Sequence, residues 1–370
     1  MSSYDIAVRG AGAVGRSLAL ALSRQGLSVA LLASPPRGAG PDVRAYALNA
    51  QAVNLLRNLK VWDAMPADAA TAVSEMLVHG DAHGSRLEFS AWGQCVDALC
   101  WIVDAQALDE ALATAIRFAP HVTELPADAQ VQATLTALCE GKHSATREAL
   151  GVNFQVKPYG HTAVAARLVA DRPHEGVARQ WFRSPDILAL LPFDRPQPRC
   201  SYGLVWSMPA ERAQALQALS DADFDAALNE ATGGAAGTLK LDGPRVGWPL
   251  QLSRAEALCG PGWVLLGDSA HTVHPLSGQG LNLGLGDVQA LALVIAQREP
   301  WRPLSDEKLL RRYVRERAVP TMAMQQLTDG LLHLFEQDAP VLRELRNRGL
   351  DLVNQLTPLK RWLAGRALGT

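Results

Sequence analysis

The 370-residue sequence predicts an α/β fold in which a parallel-sheet domain is interrupted by an antiparallel sheet and followed by a helical region. The chain opens with an apolar strand, a helix with an apolar stripe and a second strand, at Tyr4 to Val8, Ala13 to Gln25 and Ser28 to Leu32. Strand patterns fill the middle of the chain. A further apolar strand, Trp263 to Leu266, then precedes a helical run from Leu281 to Ala296. The first domain is therefore left in mid-chain and resumed later.

The predicted boundaries divide the chain into a discontinuous first domain, an inserted sheet domain and a C-terminal part. The first domain comprises residues 1–72, 95–150 and 250–303, the sheet domain residues 73–94 and 151–249, and the helical region residues 304–370. Within the insertion we expect a helix from Ala210 to Ala231 and strands at Val73 to Val78, Arg86 to Phe89, Thr162 to Val169, Leu188 to Leu191 and Ser201 to Trp206. A chain of this length has room for about two domains.

Composition and charge exclude several classes of protein. A hydrophobic content of 48% and a charged content of 19% indicate a globular chain with a substantial core. The net charge of −2 gives no reason to expect a nucleic-acid partner. The five cysteines form no CxxC pair, which fits reduced thiols in a cytoplasm. The sequence has neither a leader peptide nor a bilayer-spanning apolar run, so we expect a cytoplasmic protein.

A glycine pattern between the first strand and its helix predicts a Rossmann-like dinucleotide site. Gly10, Gly12 and Gly15 form GxGxxG, with Ala13 and Val14 at the helix start. The first glycine permits a tight turn, the second lets the backbone approach a pyrophosphate, and the third lets helix and strand pack closely.

Two departures from this fingerprint lie beside it. Arg9 occupies a position where a small or apolar residue is usual, and the acidic residue expected at the end of the second strand is absent from Ala33 and Ser34. Losing one charge-assisted hydrogen bond to a ribose costs roughly 1.5–3 kcal/mol. A large cofactor tolerates that loss. Ser34 and Arg9 are both candidates to compensate for it.

A longer motif, GDSAHTVHPLSGQGLNLGLGD, runs from Gly267 to Asp287. It predicts a carboxylate aimed at a ligand and, after it, a helix start whose free N–H groups carry about half a positive charge. The motif resembles the second flavin-binding motif of the FAD-dependent aromatic hydroxylases. The resemblance implies that Asp268 holds the ribityl chain and that the helix start faces the pyrimidine edge of the flavin. The implied flavin-binding residues here are Gly267, Asp268, Pro275, Gly278, Gln279, Gly280, Leu281 and Asn282.

Further segments resemble one branch, the ubiquinone-biosynthesis hydroxylases, whose fold resembles that of p-hydroxybenzoate hydroxylase. The matches cover nearly the whole chain and include Asp42 to Leu48, Glu140 to Ser144 with Arg147, HEGVARQWF from His174, and Trp248-Pro249-Leu250. They imply that Arg44 reaches the FAD. Gln106 is either a flavin contact or a plain helix-surface residue. Glu140 replaces the aspartate usual in its motif, and the segment between Ala115 and Glu140 is shorter than in the family.

The chemistry that the resemblance implies is aromatic hydroxylation. FAD is reduced by NADH or NADPH and reacts with O₂ to a flavin hydroperoxide, which transfers oxygen to a phenol ring. Phe193, Tyr202 and Trp206 are candidates for the substrate pocket, although such aromatics also form ordinary cores. His271 and His274 have no further ligand at metal spacing, so no metal is predicted.

The tail allows two interpretations. Leu342, Leu345, Leu352, Val353 and Leu356 recur at helical spacing beside several basic residues. Such a face either rests on an anionic membrane, where a polyprenyl phenol dissolves, or packs on the first domain. We thus expect an enzyme peripheral to the inner membrane or part of a ubiquinone-biosynthesis complex. The alternatives are a hydroxylase of soluble aromatics and a non-catalytic relative that serves as a binding partner.

Overall fold

In the part of the chain that the structure describes, the first sheet has six strands and is assembled from distant segments. The structure is a computed structural model that describes residues 3–34, 42–80, 86–272, 280–319 and 322. All its strand pairs are parallel except one short hairpin at an edge. From that edge the order is β16 (Cys259–Gly260), β17 (Trp263–Leu265), β9 (Gln132–Leu138), β1 (Ser3–Arg9), β2 (Val29–Ala33) and β8 (Val122–Pro126).

Helices bury one face of this sheet. Ile6 and Val8 of β1 pack against Leu18 and Leu22, and all four side chains are completely buried. Because apolar residues repeat at helical spacing, each of these helices presents one stripe to the sheet. The helices of this core are α1 (Ala13–Ser23), α2 (Ala50–Asn58), α4 (Ala105–Arg117) and α8 (Gly280–Ala296).

A second, mixed sheet forms the middle of the chain, with nine strands in the described residues. Its order is β18 (His271–Thr272), β15 (Val246–Ala255), β10 (Phe154–Ala170), β13 (Ser201–Pro209), β12 (Asp186–Phe193), β11 (Val177–Arg183), β5 (Glu75–His79) and β6 (Arg86–Ser90), and β14 (Leu239–Leu241) pairs with β10. Its back face packs against α6 (Ala210–Ala218) and α7 (Asp221–Thr232). Because side chains alternate along a strand, every second side chain points to the opposite face of this sheet, which we call the front face.

The front face meets the first domain through a small antiparallel sheet, β3 (Ala45–Leu48), β7 (Cys100–Asp104) and β4 (Ala70–Val73). Val73 and Ile102 share a buried cluster with Ala178 and Phe193 of the large sheet. Two short helices, α3 (Ala91–Gln94) and α5 (Ala145–Ala149), complete the described elements up to α8. Leu48 and Val103 of the small sheet pack instead in the core of the first domain, so this sheet contributes to the apolar packing on both sides.

The structure refines the predicted elements in three places. The pair of β5 with β11 is parallel, so the inserted sheet is mixed rather than wholly antiparallel. The predicted helix from Ala210 to Ala231 is two helices, because the Ser220 side chain accepts a hydrogen bond from the Asp223 N–H and starts a new one. The short segment before Glu140 contains β8 and β9, joined directly by residues 127–131.

The C-terminal region is described only in part. Residues 307–319 are helical, and the basic amphipathic face predicted between Leu342 and Arg361 lies outside the described residues. No helix within the described ranges combines the length and the apolarity needed to cross a bilayer.

Candidate functional site

The turn between β1 and α1 presents bare backbone at the carboxyl edge of the first sheet. Gly10 has φ +104°, and a Cβ there would lie 2.3 Å from the Cys139 carbonyl oxygen. A Cβ on Gly15 would lie 1.8 Å from the Gly10 carbonyl oxygen. A Cβ on Gly12, by contrast, meets no described atom within 4 Å. Gly10 and Gly15 are therefore glycines for packing, whereas Gly12 borders open space.

The amino end of α1 begins at that space and has no side-chain cap. Gly12 is its N-cap and supplies no side-chain hydrogen bond, and the first turn carries no acidic residue. The first backbone N–H groups of a helix have no partner within it and favour an anion. This helix start can bind a pyrophosphate without a cationic side chain.

A second turn, Gly267–Ser269, lies directly beside the first. It follows β17, and Gly267 adopts φ +60°. Cβ atoms on Gly267 and Gly284 would lie 3.2 and 2.6 Å from Val14 Cγ2, so α1, this turn and α8 meet at one point. The segments that the sequence singled out around Gly12 and Asp268 are thus brought together.

Asp287 of α8 holds the second turn in place. Its carboxylate is completely buried and accepts a hydrogen bond of 2.9 Å from the Gly267 N–H and one of 2.6 Å from Arg317 Nε. His271 Nε2 is 2.9 Å from the same carboxylate, although its N–H is poorly aligned for a hydrogen bond. Burial alone would raise the pKa of Asp287, but His271, Arg317 and the Gly267 N–H lower it overall.

The carboxylate of Asp268 is the polar group that this arrangement leaves available. It is exposed to solvent and makes no hydrogen bond or ion pair with the described residues. Nevertheless its pKa is raised, chiefly because the surrounding protein desolvates it, while His271, Lys142 and Arg44 act in the opposite direction. Hydroxyl groups of a ligand would relieve this desolvation.

Comparison with known proteins identifies the group for which the site is built. A family model described as an FAD binding domain matches residues 3–98 and 108–328. The chain is 31% identical to ubiquinone hydroxylase UbiL of Rhodospirillum rubrum over 99% of its own length and 90% of that protein. The chain belongs to the FAD-dependent aromatic hydroxylases. The cofactor is FAD, and the protein is a monooxygenase.

A second relative and a solved structure of similar fold agree with this family. The chain is 29% identical to the 3-demethoxyubiquinol 3-hydroxylase of Escherichia coli, covering 99% of this chain and 98% of that one. Its fold is similar to that of p-nitrophenol 4-monooxygenase PnpA of Pseudomonas putida, with a TM-score of 0.78, 19% identity and coverage of 100% and 99% of the two chains. The predicted family, enzyme class, cofactor and fold class are confirmed. The open backbone at Gly12 and the Asp268 carboxylate, which has no partner among the described residues, fit FAD.

Arg44 and Gln106, which the sequence offered as FAD contacts, both bind neighbouring side chains. Arg44 forms a two-pronged ion pair with Asp42, with Nε–Oδ1 at 2.8 Å and Nη2–Oδ2 at 2.6 Å. The hydrogen bonds to Asp42 raise the pKa of Arg44. Gln106 is exposed and donates to Glu110. Arg16 of α1 was not among the predicted site residues; its Nη1 donates a hydrogen bond of 2.5 Å to Asp109 Oδ1.

The described start of α8 is tied to the rest of the first domain. Asn282 is buried, accepts a hydrogen bond of 3.0 Å from the Asn49 N–H and donates one of 2.8 Å to the Ala47 carbonyl. Its side chain thus orients the helix start. Gly280 and Leu281 begin the same helix, whereas Pro275, Gly278 and Gln279 lie outside the described residues, as does His274.

The predicted substrate aromatics need correction. Tyr202 and Trp206 are fully or almost fully buried, and they point to the back face, into the core beneath α6 and α7. Phe193 points to the front face but is only 1% exposed, because it packs in a cluster with Val73 and Ile102 and the Arg167 guanidinium lies over its ring at 3.9 Å. These three side chains are core residues. The sequence could not assign the faces because all of β13 is apolar or small.

Two of the residues that depart from the expected motifs, Arg9 and Glu140, contact each other. The side chains of Arg9 and Glu140 form an ion pair, with Nε–Oε1 at 3.2 Å. Ala33 ends β2 without any charged group, and Ser34 is exposed. The signal for Asp287 was present in the sequence as an acidic residue within apolar surroundings, but its partners Gly267 and Arg317 come from other segments.

Proposed function

We propose that this protein hydroxylates the aromatic ring of a polyprenyl-phenol intermediate of ubiquinone biosynthesis, with NADH or NADPH as the reductant. The observation that carries the proposal is the Asp268 carboxylate, which is exposed and has no partner among the described residues, on a turn whose Gly267 lies against Val14 in the first turn of α1. Support for the substrate class comes from the relatives, which include ubiquinone hydroxylases and a 3-demethoxyubiquinol 3-hydroxylase similar over nearly the whole chain.

The proposed roles of the residues follow from their positions. The N–H groups after Gly12 bind the pyrophosphate of FAD, and Asp268 accepts hydrogen bonds from the ribityl hydroxyls. Arg44 reaches the cofactor from the position just before β3, with its direction set by Asp42. The start of α8 at Gly280 stabilises negative charge at the pyrimidine edge, an effect worth up to about 2 kcal/mol in partly buried geometry.

FAD, once reduced, activates O₂ and supplies one oxygen atom to the aromatic ring. The protein itself orients the ring, excludes water and fixes the cofactor. We assign ring binding to the front face of the large sheet, where Ala163, Ala165 and Val205 alternate with residues that point to the core. Small apolar side chains leave room for a flat ring. Trp248, 37% exposed, flanks them through its pairing with Ala163.

The prenyl tail of such a substrate dissolves in a bilayer, and we therefore propose peripheral contact with a membrane surface. This part rests on the chemistry of the substrate class. Co-sedimentation with vesicles rich in anionic lipid tests it. Recovery of the protein in the supernatant at low salt, both with and without a prenylphenol in the vesicles, would count against the contact.

The activity itself has a direct test. Purified protein loaded with FAD is supplied with NADH or NADPH, ¹⁸O₂ and a short-chain prenylphenol, with the unprenylated phenol as a matched control. We expect one ¹⁸O atom in the ring of the prenylphenol and a much slower reaction of the control. Preference for the unprenylated ring would favour a hydroxylase of soluble aromatics. A protein that binds FAD but hydroxylates neither compound would contradict the proposal.

A further inference from the structure

The carboxyl end of β2 is where a dinucleotide-binding fold normally places an acidic residue for the adenosine ribose. Here that strand ends at Ala33, and the next residue is the exposed Ser34. Neither side chain carries a charge. The proposed FAD site therefore lacks its usual contact to the ribose, at a cost of roughly tenfold to a hundredfold in affinity for one charge-assisted hydrogen bond.

The Arg9 side chain crosses this same position. Arg9 is the register partner of Leu32 in β2, and Ala33 is in turn the partner of Pro126 in β8. Arg9 Nη2 donates to the carbonyl of Ala127, the residue after Pro126, over 3.1 Å. Because β2 lies between β1 and β8, a guanidinium that starts on β1 and reaches Ala127 must pass over the end of β2.

Glu140 holds the guanidinium from the other side. Its carboxylate lies 3.2 Å from Arg9 Nε and accepts hydrogen bonds from the Ser144 hydroxyl at 2.5 Å and the Thr146 hydroxyl at 2.8 Å. Desolvation would raise the pKa of Glu140, but the bonds from Ser144, Thr146 and Arg9 lower it overall. The carboxylate is therefore ionised and fixed in position, and it orients the planar fork of Arg9.

We propose that Arg9, oriented by Glu140, binds the adenosine ribose of FAD in place of the missing acidic residue of β2. Its Nη1 has no hydrogen-bond partner among the described residues, and 29% of the side chain is accessible. An arginine donates where a carboxylate accepts, and a ribose hydroxyl can do either. The two residues that depart from the family pattern thus act as one unit. This inference rests on the proposed FAD site.

The test compares FAD with FMN, which has the flavin, ribityl chain and one phosphate but no adenosine. Dissociation constants are measured by flavin fluorescence quenching on apoprotein. For Arg9→Met we expect FAD binding to weaken about tenfold to a hundredfold, with FMN binding unchanged. Glu140→Gln should weaken FAD binding less. Arg9→Met/Ala33→Glu, which restores the usual acid, should recover most of the lost FAD affinity.

Several results would overturn the inference. Equal weakening of FAD and FMN in Arg9→Met would mean that Arg9 only supports the fold, and a matching fall in apoprotein melting temperature would support that conclusion. Unchanged binding of both flavins would mean that Arg9 does not touch the cofactor. Failure of the FAD site itself gives a different result, because wild-type protein would then bind neither flavin.

Discussion

Replacing Asp287 should uncouple the Gly267–Ser269 turn from α8. The carboxylate is completely buried and compensates the charge of Arg317, whose side chain is 11% exposed, while it also accepts the Gly267 N–H. Removing one partner of a buried ion pair costs about 3–5 kcal/mol, since the other charge remains buried. That is a large fraction of the 5–15 kcal/mol typical of a folded domain. We therefore expect Asp287→Ala to lower the free energy of unfolding by about 3–5 kcal/mol.

The assay is urea unfolding of apoprotein, followed by circular dichroism and by tryptophan fluorescence, with coincident transitions as the criterion for analysis. Asp287→Asn keeps an acceptor for the Gly267 N–H but leaves Arg317 unpaired. Asp287→Asn/Arg317→Met removes both charges and should recover much of the loss. If the single effects of Asp287→Asn and Arg317→Met simply add in the double variant, the two residues are not coupled, and our interpretation of this network is wrong.

The same pair predicts a pH dependence. The folded-state pKa of Asp287 lies below its ordinary value, so its stabilising contribution is present above the unfolded pKa and is lost as pH falls through the folded value. The wild-type advantage over Asp287→Asn should therefore persist from neutral pH down to about pH 4 and shrink below it. A stability advantage that disappears already near pH 6 would contradict the lowered pKa of Asp287 in the folded protein.

Three further substitutions test other parts of the site. Asp268→Asn should stabilise the apoprotein slightly at pH 7, because a desolvated carboxylate is removed. The same substitution should weaken FAD binding about tenfold or more, and unchanged FAD affinity would exclude Asp268 as a ligand. Arg167→Met should weaken FAD binding, because Arg167 Nη2 donates a hydrogen bond of 2.6 Å to the Arg44 carbonyl and so positions Arg44. Equal FAD affinity in Arg167→Met and wild type would show that Arg44 does not need this hydrogen bond. Val205→Trp should abolish hydroxylation while leaving the FAD dissociation constant unchanged, and retained turnover would move the substrate to another surface.

The sequence predicted the parts of the site that depend on local backbone geometry. Gly10, Gly12 and Gly15 are recognisable because their roles follow from a turn between one strand and one helix. Gly267 and Asp268 are recognisable because they directly follow an apolar strand. Among the described residues, Gly12 borders open space and the Asp268 carboxylate has no partner, while the flavin-binding roles of both residues stay predictions.

What the sequence could not supply are contacts between distant segments. Asp287 meets Gly267 and Arg317 only after β17, α8 and the helix of residues 307–319 have packed together. The direction of Tyr202 was equally hidden, because strand alternation assigns faces only when one face is polar, and β13 is buried on both sides. Predicting these features requires the tertiary fold.

A crystal structure of the FAD-loaded protein tests the central claim most directly. We expect the Asp268 carboxylate to lie within about 2.5–3.2 Å of ribityl hydroxyls, with the pyrophosphate over the backbone N–H groups that follow Gly12. A flavin bound elsewhere, or an Asp268 side chain turned away from the cofactor into solvent, would contradict it.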